Sequence, residues 1–413
     1  MIDFSKSKFS DKALDFLQNS DARLNILHGS VRSSKTVNCS IRWIEYCLTG
    51  PPGDLMMVGK TVATLQRNVL NDLQDILGVK NFKWVNRQQG ELYILGRRVH
   101  AVGASSEEAE ARIRGVTLAG ALCDEANLYP RSFFAQLMAR LSVPGAQCFC
   151  NCNPDSPFHW FYTDYITNDA ITNKKVWHFL LDDNPNLDPE YITSLKQMYT
   201  GMFYRRFILG EWCVAEGAIY DMFDKDTHVV NEIPEIPKFG EILIGCDYGT
   251  STVMSWSMFY RTPEGVYYKI SEYFYDARKE KKQKTDQEFF EDFKRWASKW
   301  SYLKLLVYVD PSASSWITLL QRDAAHFEVV KADNDVINGI RVVGSKLSSK
   351  QLFFHESCKN TIQEYPNYMW DPQKQSSGVD KPIKIDDHAV DSDRYVIYTR
   401  ETHGLSGVYN VRA

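Results

Sequence analysis

The sequence predicts a two-domain α/β protein, on three observations. Through the first half, short apolar runs alternate with amphipathic helical stretches, the pattern of a largely parallel sheet covered on both faces. An extended proline-rich segment, Ile233-Pro234-Glu235-Ile236-Pro237, then interrupts the chain, and a second strand series follows it. At 413 residues the chain is also too long for one ordinary core. The expected divisions are residues 1–185, a linker subdomain at 186–237 and a second domain at 238–413.

Composition narrows the class. No apolar run reaches the ~18 residues a membrane span needs, and Met1-Ile2-Asp3-Phe4-Ser5-Lys6 lacks the apolar core of a secretory signal. The net charge of −4 argues against a surface that coats nucleic acid throughout, while leaving room for local basic grooves. The 9 cysteines include no C-x-x-C pair, which fits a reducing compartment. Cys148, Cys150 and Cys152 alternate, so they share one strand face as small buried residues do.

In the first half, Leu24 to Leu27 is a short apolar run. Gly29-Ser30-Val31-Arg32-Ser33-Ser34-Lys35-Thr36 follows it, and a helix is expected over Val37–Leu48. Strand, small-residue loop and helix form a phosphate cradle. Backbone N–H groups face the anion, Lys35 reaches the β/γ oxygens of ATP, and Thr36 holds Mg²⁺. Ser34 stands where the P-loop pattern has its second glycine. Further elements are a strand at Leu55–Gly59, a helix over Thr64–Leu77, part of a hairpin at Glu91–Val99, and strands at Leu118–Cys123 and Gln147–Cys152.

The strand Leu118–Cys123 runs into Asp124-Glu125, the second acidic element of an ATP-hydrolysing site. Asp124 would join the Mg²⁺ shell and Glu125 would polarise the attacking water. Arg112 and Arg114, just upstream, are candidates to neutralise transition-state charge, across a subunit interface for instance. The plain alternative is surface pairing with Glu107, Glu108 and Glu110. Asn153, before Pro154, could sense the γ-phosphate, or simply belong to a strand-ending turn.

Asp182 to Asn186 reads as a polar turn and Glu190 to Gly210 as helical. Beyond the proline-rich segment come strands at Glu241–Asp247, Trp256–Tyr260, Val266–Tyr273 and Leu305–Asp310. The basic run Arg278–Lys284 reads as a solvated loop, with a DNA-facing loop as the minority reading. Asp247 and Asp310 end apolar strands, where an unpaired charge is costly. Asp386-Asp387-His388-Ala389-Val390-Asp391 opens a helix whose spacing puts Asp387, His388 and Asp391 on one face. With Glu272 as a fourth candidate, these acids could hold two Mg²⁺ or Mn²⁺ ions for phosphoryl displacement. Singly, each has a mundane role; Asp387 could just cap its helix. The joint order (strand Asp, strand Glu, strand Asp, helix His-x-x-Asp) is that of an RNase H-like nuclease.

An N-terminal P-loop ATPase of the RecA/ASCE type joined to an RNase H-like nuclease resembles the large terminase subunit of tailed bacteriophages. The resemblance is carried by His28–Thr36, the Arg112–Glu125 block, Asn153-Pro154 and the Asp247, Asp310 and His388-x-x-Asp391 stations. Tyr204–Trp212 and Gly217–Tyr220 also resemble the family's linker signature. It implies a motor that hydrolyses ATP to thread double-stranded DNA into a procapsid and cuts concatemeric DNA. Implied partners are a small terminase subunit and the portal protein, with the chain as a homo-oligomeric ring, usually a pentamer, or a monomer in free solution. The implied location is the host bacterial cytoplasm and, transiently, the portal, with no membrane and no place in the mature virion. Three rivals are a cellular ATP-dependent repair nuclease, an integrase-type strand-transfer enzyme and a non-enzymatic capsid or scaffold protein, the last opposed by the two coupled acidic sites. The first would need a second helicase core; the second would not need the P-loop.

Overall fold

In the first half the strands are β1 (Leu24–Gly29), β2 (Asp54–Gly59), β3 (Phe82–Asn86), β4 (Glu91–Ile94), β5 (Arg97–Gly103), β6 (Leu118–Cys123), β7 (Gln147–Cys152) and β8 (Lys174–Phe179). A computed structural model describes residues 8–238, 240–249 and 252–403; the Met1–Lys6 reading lies outside them. The eight strands form one sheet in the order β3-β4-β5-β2-β6-β7-β1-β8. From β5 to β8 every neighbour is parallel, and β3 and β4 add an antiparallel edge. The period of two sorts side chains onto two cores. Leu55, Met57, Leu122 and Phe149 face one way, and Met56, Val58, Ala121 and Cys123 the other.

All three alternating cysteines lie in the second core, and Cys148 Sγ is 3.9 Å from Cys123 Sγ and 3.6 Å from Cys150 Sγ. All nine cysteines are free and buried.

The second half contributes β9 (Val229–Val230), β10 (Glu241–Asp247), β11 (Val253–Arg261), β12 (Tyr267–Asp276), β13 (Leu305–Val309), β14 (Phe327–Lys331) and β15 (Leu352–His355). Their order is β14-β13-β10-β11-β12-β15-β9. Strands β10, β11 and β12 form an antiparallel meander, while β13 lies parallel to β10 and β14 parallel to β13. Counted from β10, the first five strands read 5-4-1-2-3, the RNase H-like arrangement. The helix His388–His403 crosses this sheet closely because residue 245 is glycine. A Cβ on Gly245 would stand 2.0 Å from the Ser392 carbonyl oxygen. Beneath it, the wholly buried Lys269 and Asp393 pair at 2.7 Å.

The described residues form two compact units. One holds those up to 196 with 202–214 and 375–379; the other holds 197–201, 215–374 and those from 380. Residues 186–237 are therefore shared between the units, and Ile233–Pro237 carries no regular structure.

Local departures from the sequence reading have local causes. The expected helix Thr64–Leu77 is broken by a π turn at Gln66–Leu70, and its continuation kinks at Gly78. The expected helix Glu190–Gly210 is two, Pro189–Met198 and Gly201–Phe207, parted where Gly201 takes φ +50. Strands β3, β8, β9, β14 and β15 were not expected; they are short or sit at or next to an edge. Among the described residues no helix is long and apolar enough to cross a membrane.

This topology sets a boundary test. Residues before Glu235 belong to the second unit: β9 pairs with β15, and Tyr220 stacks on Tyr365 at 5.0 Å. A fragment starting at Ala215 should therefore melt at least about 5 °C above one starting at Glu235, since burying one large side chain is worth ~1.5–3 kcal/mol. Equal melting temperatures by circular dichroism would show that residues 215–234 add nothing.

Candidate active sites

The first site gathers at the C-terminal ends of β1, β6 and β7. Gly29 ends β1 at φ +133, and a Cβ there would meet the Phe179 carbonyl oxygen at 1.9 Å, so the turn requires glycine. The loop backbone is then tied down, with Ser30 N donating to Phe179 O at 2.9 Å and Val31 N to Phe207 O at 2.8 Å. The stretch Tyr204–Trp212 thus sits behind the phosphate loop. Trp212 Nε1 donates to His28 Nδ1 at 3.2 Å, and burial with the nearby His178 and Lys35 pushes His28 down to about 3, keeping it neutral.

Ser34 adopts the left-handed conformation at φ +66 that glycine would occupy freely, and Arg32 does so at φ +57. The serine hydroxyl bonds Ser33 O and accepts from Asn38 Nδ2 at 3.1 Å. Lys35 is buried, and its ammonium donates to the carbonyls of Gly29 and Ser30 and to Ser33 Oγ. Burial holds it down at about 8.

Asp124 follows β6. Burial raises its pKa, opposed by bonds from Asn151 Nδ2 at 3.0 Å, Asn68 Nδ2 at 3.2 Å and the Thr36 hydroxyl. Glu125, at φ +57, is raised by burial and by Asp124, and its backbone N–H donates to Asn151 Oδ1 at 3.1 Å. Residues 31–36, with Asn68, Asp124, Glu125 and Asn151, border one cavity of about 570 Å³, which Asn153 also lines. That volume suits a nucleotide-sized ligand. Thr36 and Asp124, a hydroxyl and a carboxylate in contact, are the oxygen donors Mg²⁺ takes.

Neither candidate arginine enters this cavity. Arg114 is exposed and pairs with Glu110 at 3.1 Å. Arg112, also exposed, borders a different cavity with Arg87, Gln88 and Gln89. The side chains of Glu107 and Glu108 lie outside the described residues. Sequence reasoning chose Asn153 and missed Asn151, which bridges both acids. Its signal was an amide inside the strand Gln147–Cys152. Asn68 left no signal, because the π turn aims it.

The second site forms where β10 and β13 end beneath the start of helix His388–His403. His388 Nδ1 lies 2.7 Å from Asp247 Oδ2. Burial opposes charge on both, yet Asp247 holds His388 above its usual range while burial keeps Asp247 raised. Asp310 is held low despite burial, by Ser312 N at 2.7 Å and Tyr395 Oη at 2.8 Å. Asp391 and Asp387 are 6 % and 5 % exposed. Arg394 donates to Asp391 Oδ1 at 3.0 Å, and Lys384 to its Oδ2 at 2.7 Å. Asp387 Oδ2 lies 2.9 Å from Lys384 Nζ but accepts no hydrogen bond, a buried carboxylate oxygen without a donor in line. These carboxylates and the imidazole are the donor types Mg²⁺ or Mn²⁺ takes, although among the described residues only Cys123, Cys148 and Cys150 bring three possible ligand atoms within 4.8 Å of one another.

Two expectations change here. Glu272 is already engaged by another helix. Both its oxygens are taken by Asn360 and Thr361 at the start of helix Lys359–Asn367, four bonds of 2.7–3.1 Å. It serves as a helix cap instead of joining the acids. Asp387 does not cap its helix either, because Glu364 Oε2 does so, accepting from Ala389 N at 2.7 Å and Val390 N at 3.2 Å. Burial pushes Glu364 up to about 7.

A family profile for the N-terminal part of the T4-like-virus type of terminase large subunit matches residues 29–225. The chain is 22% identical over 284 residues to the large terminase subunit of Escherichia phage T5, a match spanning 65% of this chain and 61% of that protein. The large terminase of a thermophilic bacteriophage, in complex with ADP, superposes with a TM-score of 0.86. It is 38% identical over 95% of this chain and 100% of that one. The same thermophilic-phage protein in complex with ATP-γ-S gives a TM-score of 0.85 at 38% identity, covering 95% of this chain and 99% of that one.

Two outcomes test this geometry. Asn151→Ala should retain ATP binding and lower ATP turnover at least about tenfold, as loss of a group orienting a metal ligand does; unchanged turnover would dismiss the bridge. Glu364 binds its proton more tightly folded, near 7, than its ordinary 4.5. Its contribution is therefore full below pH ~4.5 and lost as pH rises through ~7, on the order of 3 kcal/mol. Glu364→Gln should raise the melting temperature at pH 8 and not at pH 4.5 in metal-free buffer. The same difference at both pH values would contradict the assignment.

Proposed function

The chain belongs to the bacteriophage large-terminase family, and from that premise we propose that it packages viral DNA. In this reading it hydrolyses ATP to move double-stranded DNA into a procapsid and cuts concatemeric DNA with a separate nuclease. The observation that carries the proposal is the pair of strand-end acid centres on two different sheets, one of them facing a phosphate loop. Two centres of this kind suit two phosphoryl-transfer reactions, one on ATP and one on the DNA backbone.

At the first centre Lys35 would bind the β/γ-phosphate oxygens, and Glu125 would orient the attacking water. Asp124 and Thr36 would hold Mg²⁺, which when bound neutralises phosphate charge. Arg112 and Arg114, which lie outside this centre's cavity, would supply transition-state charge to the ATP of a neighbouring copy in a ring, proposed as a pentamer. At the second centre Asp247, Asp310 and Asp391, with Asp387 and His388, would hold two divalent ions. Their chemistry, when bound, is to clamp the attacking and leaving oxygens of an in-line displacement. Double-stranded DNA, a small terminase subunit and the portal of the procapsid are the proposed partners, and the host cytoplasm the proposed location. The thermophilic-phage terminase complexes with ADP and ATP-γ-S support the nucleotide assignment.

The two activities should separate. Lys35→Ala should lose ATP turnover, and Glu125→Gln should bind ATP yet turn it over at least about a hundredfold more slowly. Both should still nick plasmid DNA with Mn²⁺. Asp247→Ala and Asp310→Ala should reverse the pattern, losing cleavage with ATPase near normal, and every variant should fail to package DNA into portal-bearing procapsids. ATP hydrolysis at full rate by both P-loop-site variants, or cutting that survives EDTA, would overturn the proposal.

A further inference from the structure

Asp391 holds two cations of different kinds. Arg394, on its Oδ1, is 1 % exposed and fixed inside the fold. Lys384, on its Oδ2, comes from outside: its side chain is 49% exposed while those of Asp387 and Asp391 are 7% and 8%. The lysine is also presented deliberately. Just before it the backbone is pinned, with Ile383 N donating to Met369 O at 2.9 Å and Asp371 N to Lys381 O at 2.8 Å. After it, Asp386 turns at φ +49 into the helix.

We propose that Lys384 is an exchangeable counter-cation of the nuclease centre, a latch that a divalent ion must displace to load between Asp387 and Asp391. This rests on the two-metal reading of that centre. Withdrawing the ammonium costs the lysine little, because its head returns to water on a flexible stem. For the two buried carboxylates the loss is large, since Asp387 loses its ion-pair partner and Asp391 keeps only Arg394 beside a second like charge. The ammonium therefore leaves only when another cation takes its place. A Mg²⁺ or Mn²⁺ ion does so with one more unit of charge and with ligand bonds the ammonium cannot make. The Asp387 oxygen that Lys384 faces without a hydrogen bond is the donor such an ion would gain. Arg394 cannot exchange in this way, so Asp391 stays anchored as Lys384 swings out. The freed ammonium then stands at the rim of the centre, where a DNA phosphate can receive it.

Mn²⁺ titration calorimetry on the full-length protein tests this, with Lys384→Ala, Lys384→Gln and Lys384→Arg beside wild type. Asp247→Ala, alone and with Lys384→Ala, assigns which binding event belongs to the nuclease centre. Removing the ammonium should tighten Mn²⁺ binding there at least about tenfold, the scale on which groups around metal ligands act. Half-saturating Mn²⁺ for plasmid nicking should fall in step. Lys384→Arg should stay near wild type, and Lys384→Gln should match Lys384→Ala, so a folding defect in one variant does not decide the result. Unchanged or weaker Mn²⁺ binding in both neutral variants, with Asp247→Ala still abolishing it, would overturn the latch and leave the two-metal reading standing. Mn²⁺ binding that survives Asp247→Ala in both backgrounds would overturn that reading and the latch with it.

Discussion

The carboxylates of both centres are held largely out of water, and most of them are matched by a donor. That matching organises the structure. Asp124 is met by Asn151, Asn68 and Thr36, drawn from three elements far apart in the chain. Asp247 is met by His388, Asp310 by Tyr395, and Asp391 by Arg394 and Lys384. Burial raises Asp124 and Asp247 against the pull of their donors, while at Asp310 the donors outweigh burial. The sheets supply the geometry, because a parallel strand delivers its last residue to the rim where helices begin.

Backbone strain collects at the same places. Among the described non-glycine residues, seven have positive φ, and four of them (Arg32, Ser34, Glu125 and Asp386) border the two centres. Each such residue costs on the order of 1 kcal/mol, held by surrounding bonds. In the phosphate loop those bonds come from Phe179 and Phe207, so the strand β8 and the Tyr204–Trp212 stretch maintain a loop that lacks its second glycine. This gives a physical reason for the linker signature that the sequence offered only as a resemblance.

Much of both centres was legible because it is written in contiguous residues. Lys35, Thr36, Asp124 and Glu125 stand beside strands whose apolar runs end at or near them, Asp247 and Asp310 do the same, and His388 opens a helix. What was not legible depends on contacts across the chain. Asn68 reaches Asp124 through a π turn that no periodicity reveals. Asn151 and Asn153 look alike in sequence and line the same cavity, and only the folded hydrogen bonds show that Asn151 bridges both acids. Glu272 satisfies every local criterion for a ligand, yet helix Lys359–Asn367 lies against it and takes both oxygens. Glu364 had no signal at all, since its task is to cap a helix that begins 24 residues later. The edge strands were missed for the same reason: a short strand is defined by its neighbour.

The central claim is that one chain carries two separate metal-dependent phosphoryl-transfer centres. Crystals soaked with Mn²⁺ and a non-hydrolysable ATP analogue, with data collected at the manganese edge, test it most directly. The account predicts one anomalous peak between Thr36, Asp124 and the phosphates, and a separate pair among Asp247, Asp310, Asp387 and Asp391 with Lys384 moved out. No anomalous density at the second cluster under saturating Mn²⁺, with the first site filled, would contradict it.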